Sequence, residues 1–216
     1  MKQYIFATRS DIELIDLNAT LEAVNKAVEF LKGVRAKGGI ILWVATQPAA
    51  SRAVLNLTEK FKYPYVVSRW LGGTLTNFKV INKRLEYFKK LREDKETGKL
   101  EKYTKKEQLR INQNIAKMNR VFEGLESLMR VPDALFTVNI NVHDTAVREA
   151  KRLKIPVVAI IGTDADPKSV DYPIPANDNA KSSIEWILDK IGKELEGVSQ
   201  QPQPQQPQSQ PQQQNA

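Results

Sequence analysis

The sequence predicts an α/β fold, a parallel sheet with helices on both faces, interrupted by an inserted α-helical hairpin. Three observations carry that prediction. Short apolar runs rich in β-branched residues (IILWVAT at 40–46, PDALFTVNI at 132–140, IPVVAIIG at 155–162) alternate with amphipathic helical patterns, as repeated βαβ units require. These runs are nearly continuous, the pattern of strands buried on both faces. Residues 75–130 then break the alternation with two helical arms, and the Gly-Gly pair of SRWLGGTLTNF (68–78) sits where core meets arm.

The elements follow in order. YIFATRSDIELIDL (4–17) holds two short apolar stretches around Arg9-Ser10-Asp11 and reads as a hairpin or two strands. Asn18 and Thr20 are candidate caps for a helix whose Leu21, Val24, Val28, Leu31 and Val34 keep helical spacing, with Gly38-Gly39 ending it. The strand at 40–46 follows, then the helix SRAVLNLTEKFK and the short strand YPYVV. Beyond the interruption come the strand at 132–140, the helix DTAVREAKRLK, the strand at 155–162 and the helix NAKSSIEWILDKIGKEL.

In the interruption, Phe78, Ile81, Leu85 and Phe88 step by helical intervals, and so do Ile111, Ile115, Met118, Phe122, Leu125 and Met129. Each set makes a coiled-coil seam, with Asp94–Tyr103 as the turn. Arms of about 18 residues would project roughly 27 Å. Arms longer than the core needs, carrying most of the net charge, read as a contact device; the seam alone also fits a packing hairpin folded back on the core. The resulting partition is a core of 1–74 and 131–198, a coiled-coil helical hairpin at 75–130, and a tail at 199–216. From Gln200 the tail has 10 Gln, 4 Pro and no charge, and is expected to be disordered.

Charge sharpens the reading. The net charge is +8 with a pI near 9.5. Residues 78–130 hold 15 Lys and Arg against 8 Asp and Glu, while the rest of the chain holds 18 against 17. A positive field confined to one segment suits a polyanion. The absence of cysteine excludes disulfides, thiolate metal sites and Cys nucleophiles. No long apolar run indicates a membrane span, and residues 1–14 show no secretory h-region.

Other chemistry is thin. His143 is the one histidine and sits at a helix start beside Asp144, a capping environment. Asp164 and Asp166 follow the strand at 155–162, where they could hold Mg²⁺ or serve as loop and cap residues. Neither GxxxxGK[ST] nor GxGxxG is present. In SRWLGGTLTNF, Gly72 and Gly73 can let an anion approach backbone N–H groups, Thr74 and Thr76 can cap the next helix, Arg69 adds a forked donor and Trp70 a flat face. The same residues also fit a tight turn with Trp70 as a core plug.

RWLGGTLTNF followed by a basic helical hairpin, PDALF, IPVVAI and DYPIPANDNA resembles the bacterial small-subunit ribosomal protein S-two family, from Met1 to about Val198. The resemblance implies a three-layer αβα parallel sheet of flavodoxin-like, or Rossmann-like, type with a protruding coiled-coil hairpin. It implies a structural constituent of the small ribosomal subunit in the cytoplasm, not an enzyme, with small-subunit rRNA as partner. Neighbouring small-subunit proteins are implied too, including the large mRNA-binding one. No cofactor, metal, membrane or small-molecule substrate is expected. From charge and placement, the candidate RNA-binding residues are Arg69, Trp70, Gly72, Gly73, Thr74, Asn77, Lys79, Lys83, Arg84, Lys89 and Lys90.

The sequence departs from the family's pattern twice. The usual N-terminal helical segment with its His-Phe-Gly-His type motif does not precede Lys2–Phe6, which leaves open a shortened lineage or a start placed too late. Where members often carry Glu-His, this chain has His143-Asp144. Two other classes stay open at this point: a cytosolic α/β enzyme acting on a phosphorylated ligand at the sheet's switch point through Asp164 and Asp166, and a free nucleic-acid-binding module.

Overall fold

The computed structural model describes residues 1–198 apart from Asp11 and Glu101; the tail expected at 199–216 lies outside the described residues. Strands β1 (Ile5–Arg9) and β2 (Ile12–Ile15) pair antiparallel as the expected hairpin. The main sheet is parallel throughout and contains β3 (Ile41–Val44), β4 (Tyr65–Val66), β5 (Ala134–Val138), β6 (Val157–Ile161) and β7 (Tyr172–Pro175), in the order β4-β3-β5-β6-β7. Counted within the sheet this is 2-1-3-4-5, the doubly wound order of a flavodoxin-like fold.

Side chains alternate cleanly between the two faces. Ile41, Trp43, Ala134, Phe136, Val138, Val158 and Ile160 enter one core, with residues of α1 (Leu17–Ala36), α2 (Pro48–Phe61) and α6 (Lys181–Glu196). Leu42, Val44, Leu135, Val157, Ala159 and Ile161 enter the other, with α5 (Asp144–Arg152) and the base of the inserted hairpin. Both faces are covered, which explains why these strands read as unbroken apolar runs.

Strand β7 has no counterpart in the sequence reading, because Pro173 and Pro175 argue against a strand. It lies at the sheet edge, where a missing N–H costs little. Two cap assignments also change. Asp16 caps α1 by accepting from the Asn18 N–H (2.9 Å), while the Thr20 hydroxyl donates to the Pro175 carbonyl (2.6 Å) and ties α1 to β7.

The insertion forms α3 (Phe78–Glu96) and α4 (Lys105–Phe122), about 28 and 27 Å long at 1.5 Å per residue. Thr104 and Glu107 build a capping box that starts α4. Ile81, Leu85, Phe88, Ile115 and Phe122 are buried and join the second core, whereas Leu91, Leu100 and Ile111 towards the turn are half-buried. The seam therefore anchors at its base and thins towards its tip. Met129 does not belong to it: α4 ends at Phe122, a 3₁₀ turn follows, and Met129 is 84% exposed. Gly124 lies in that turn against β4, where a Cβ would come within 2.3 Å of the Tyr65 carbonyl oxygen. No helix of the described residues is long and apolar enough to cross a membrane.

Candidate nucleic-acid interface

The glycine loop between β4 and α3 does hold an anion, and the anion is the chain's own. Glu149, on α5, turns its carboxylate into the loop. Its Oε1 accepts from Trp70 Nε1 (3.1 Å) and the Gly73 N–H (2.8 Å). Its Oε2 accepts from the N–H groups of Leu75 (3.0 Å) and Thr76 (3.1 Å) and from the Thr76 hydroxyl (3.1 Å). Burial alone would push this carboxyl up, but the bonds from Gly73, Thr76, Trp70 and Leu75 outweigh it and hold Glu149 below the ordinary value. Charge-assisted bonds of this kind are the stronger class.

Several expectations for the loop change accordingly. The N–H of Gly73 and the indole N–H of Trp70 are occupied internally by Glu149 and are not free donors. Thr74 is buried and its hydroxyl donates to the Leu71 carbonyl (2.6 Å) instead of capping α3. Asn77 takes the N-cap position without a side-chain bond. Gly73 has φ +89°, a left-handed conformation that favours glycine, and a Cβ there would lie 3.3 Å from Asn77 Cβ. Gly72 differs, since a Cβ there would meet nothing within 4 Å. Arg69 is exposed, and its side chain has no bond or ion pair among the described residues. Sequence reasoning missed Glu149. Its signal was a carboxylate on the apolar face of α5, between Ala146 and Ala150, both fully buried.

The hairpin presents its charge differently. Lys79, Lys83, Arg84 and Lys90 are exposed and form no ion pair among the described residues. Lys89 is partly used, because its ammonium donates to the Glu126 carbonyl (3.2 Å). Arg92 makes a forked pair with Glu126 (2.6 and 2.8 Å) and its guanidinium lies 5.4 Å from the Phe88 ring centroid, bracing the base of the hairpin. On α4, Lys106, Arg110, Lys117 and Arg120 are exposed at spacings of four, seven and three, which places them on one helix face away from the seam. They are not among the residues the sequence singles out, although their spacing was readable there.

The switch point of the sheet, between the carboxyl ends of β3 and β5, is where such folds bind ligands. Here it is bridged by His143, which is 2% exposed. The Thr46 N–H donates to His143 Nε2 (3.1 Å), so this nitrogen is an acceptor, and Nδ1–H donates to the Asn139 carbonyl (2.9 Å). Burial holds the imidazole below its ordinary value, against the opposing pull of that carbonyl, and so keeps it neutral. His143 thus braces the interior without a side-chain cap bond to α5.

Asp164 and Asp166 serve separate ends. Asp164 accepts from Asn141 Nδ2 (2.7 Å), and Asp166 accepts from the Lys168 N–H (3.0 Å) at a 3₁₀ turn. The carboxyl near Asp164 is Asp178, which is 2% exposed and pushed up by burial and then by Asp164, against the Gly162 N–H bond. Among the described residues no group of three His, Cys, Asp or Glu side chains is placed to hold a metal. A groove of about 900 Å³ opens here, lined by Leu14, Leu17, Leu21, Trp186, Asp164 and Asp178. It lies beyond β6 and β7, displaced from the switch point.

The family model described as Ribosomal protein S2 matches residues 1–197. Among similar proteins, "Small ribosomal subunit protein uS2" of Mycobacterium leprae is 43% identical over 191 residues, covering 88% of this chain and 69% of the relative. The protein of the same name from Nocardia farcinica is 41% identical over 199 residues (92% and 70%), and that from Dictyoglomus turgidum 41% over 191 residues (88% and 78%).

Proposed function

The chain belongs to the ribosomal protein S2 family, and we propose on that ground that it is a structural constituent of the small ribosomal subunit in the cytoplasm, supporting translation. The role is structural, not enzymatic. The switch point that an enzyme of this fold would use is bridged by the His143–Thr46 contact.

The finer proposal concerns contact with rRNA. Residues 75–130 act as a coiled-coil contact module on a core formed by 1–74 and 131–198. The exposed cations Lys79, Lys83, Arg84 and Lys90, with Arg69 at the loop, meet RNA phosphates; Lys89, Asn77 and Gly72 lie beside that face. Trp70, Gly73 and Thr74 contribute indirectly, by shaping the loop that sets the start of α3. One observation carries this reading: the loop's inward donors are satisfied by Glu149, while the hairpin's outward cations have no internal partner among the described residues. Unpaired cations on a rigid helix are what a polyanion can use without breaking existing bonds.

Retention of the large mRNA-binding neighbour belongs to the same proposal and rests on the family resemblance. The apolar groove along Leu14, Leu17, Leu21 and Trp186 offers a protein neighbour a surface distinct from the basic hairpin.

Charge reversal of Lys79, Lys83, Arg84 and Lys90 to Glu tests the RNA contact. The variant should melt like the parent yet remain at the top of a sucrose gradient, while the parent sediments with small subunits. Normal cosedimentation of the variant would remove α3 from the interface.

A further inference from the structure

The exposed face of α3 carries an aromatic ring among its cations. Tyr87 is 54% exposed, one turn after Lys83 and nearly one turn before Lys90. Helical spacing puts all three opposite the buried seam of Ile81, Leu85 and Phe88. The hairpin's other exposed tyrosine is different. Tyr103 has the Lys102 ammonium 5.3 Å from its ring centroid, so that ring already faces a cation. Tyr87 makes no ring, cation–π or side-chain hydrogen-bond contact among the described residues, and its ring is open to an incoming partner.

An exposed ring of this size between two unpaired lysines has the chemistry that single-stranded nucleic acid requires. Bases stack on aromatic faces, and cations on either side hold the flanking phosphates. A duplex offers no free base face along its length and would use the lysines alone. We infer that Tyr87 is a stacking site for an unpaired RNA base, with Lys83 and Lys90 binding the phosphates on either side of it. This rests on the proposed RNA contact of α3 and adds the class of nucleotide that it takes.

Stacking and phosphate contact respond differently to salt, so one titration separates them. The full chain would be bound to a short oligoadenylate and to a blunt RNA duplex over a salt series. Tyr87→Leu should weaken oligoadenylate binding roughly five- to 150-fold at every salt concentration, with the log–log slope unchanged. Duplex binding should not change. Tyr87→Trp should restore oligoadenylate binding. Replacing Lys83 and Lys90 with Gln should lower the slope for oligoadenylate by about 1.4. Unchanged oligoadenylate affinity for Tyr87→Leu, or equal weakening for duplex and oligoadenylate, overturns the stacking site. The lysine variant then shows whether the RNA contact itself survives: a lowered slope keeps it, and an unchanged slope removes it as well.

Discussion

The glycine loop and the outer faces of the hairpin are adjoining positive regions that treat anions in opposite ways. In the loop, three backbone N–H groups, a hydroxyl and an indole converge on Glu149, a residue only 7% exposed. On α3 and α4 the ammonium and guanidinium groups of Lys79, Lys83, Arg84, Lys90, Lys106, Arg110, Lys117 and Arg120 point outward, unpaired among the described residues. Fixed backbone donors need a fixed partner, and burying them unpaired is expensive. Long charged side chains stay hydrated and can wait for a partner from outside. Positive character alone therefore does not distinguish the two regions; the presence or absence of an internal anion does.

Removing that internal anion should have the largest effect. Glu149→Ala leaves the donors of Gly73, Leu75 and Thr76 without their acceptor and should cost about 3 kcal/mol or more of stability, read by denaturant unfolding. Glu149→Gln keeps one acceptor oxygen and should cost less. The pH dependence has a definite sign. The folded carboxyl lies below its ordinary value of 4.5, so its contribution is fully present above that value and is lost as pH falls through the depressed one. The parent should lose more stability than Glu149→Gln in that acid window. Equal acid sensitivity would mean that the carboxylate does not close the loop.

The two glycines give a finer cut. Gly73→Ala must take a left-handed φ and press on Asn77, and should cost about 1–2 kcal/mol in thermal or denaturant unfolding. Gly72→Ala, whose added Cβ meets open space, should leave stability within about 0.5 kcal/mol of the parent. Equal losses at both positions would mean that the loop is held by something other than the Gly73 conformation and the Glu149 contact.

How far the sequence shows this depends on the range of the interaction. The three long parallel strands and the helices around them were legible, because burial on both faces leaves a periodic record in IILWVAT, PDALF and IPVVAIIG. The hairpin was legible from its seam, although the exit at Gly124 was not, since it depends on contact with Tyr65, far away in sequence. Strand β7 was hidden by prolines that only an edge position tolerates. In the candidate site, the charge excess of 78–130 was visible in composition. The Glu149 bond to Gly73 spans 76 residues and leaves no local pattern. The bridging role of His143 was hidden similarly, because Thr46 lies 97 residues before it. Asp164 and Asp166 looked like a pair because they are close in sequence, whereas the fold sets Asp178 beside Asp164.

The most direct measurement is the salt dependence of RNA binding by the parent and by a variant with Lys79, Lys83, Arg84 and Lys90 all replaced by Gln. Each phosphate contact contributes about 0.7–0.9 to the log–log slope, so the four together should lower it by about 3. The variant's thermal stability should stay close to that of the parent, because none of these side chains has an internal partner among the described residues. An unchanged slope with the fold intact would contradict the claim that the outward cations of the hairpin, and not the closed glycine loop, are the face this protein offers to RNA.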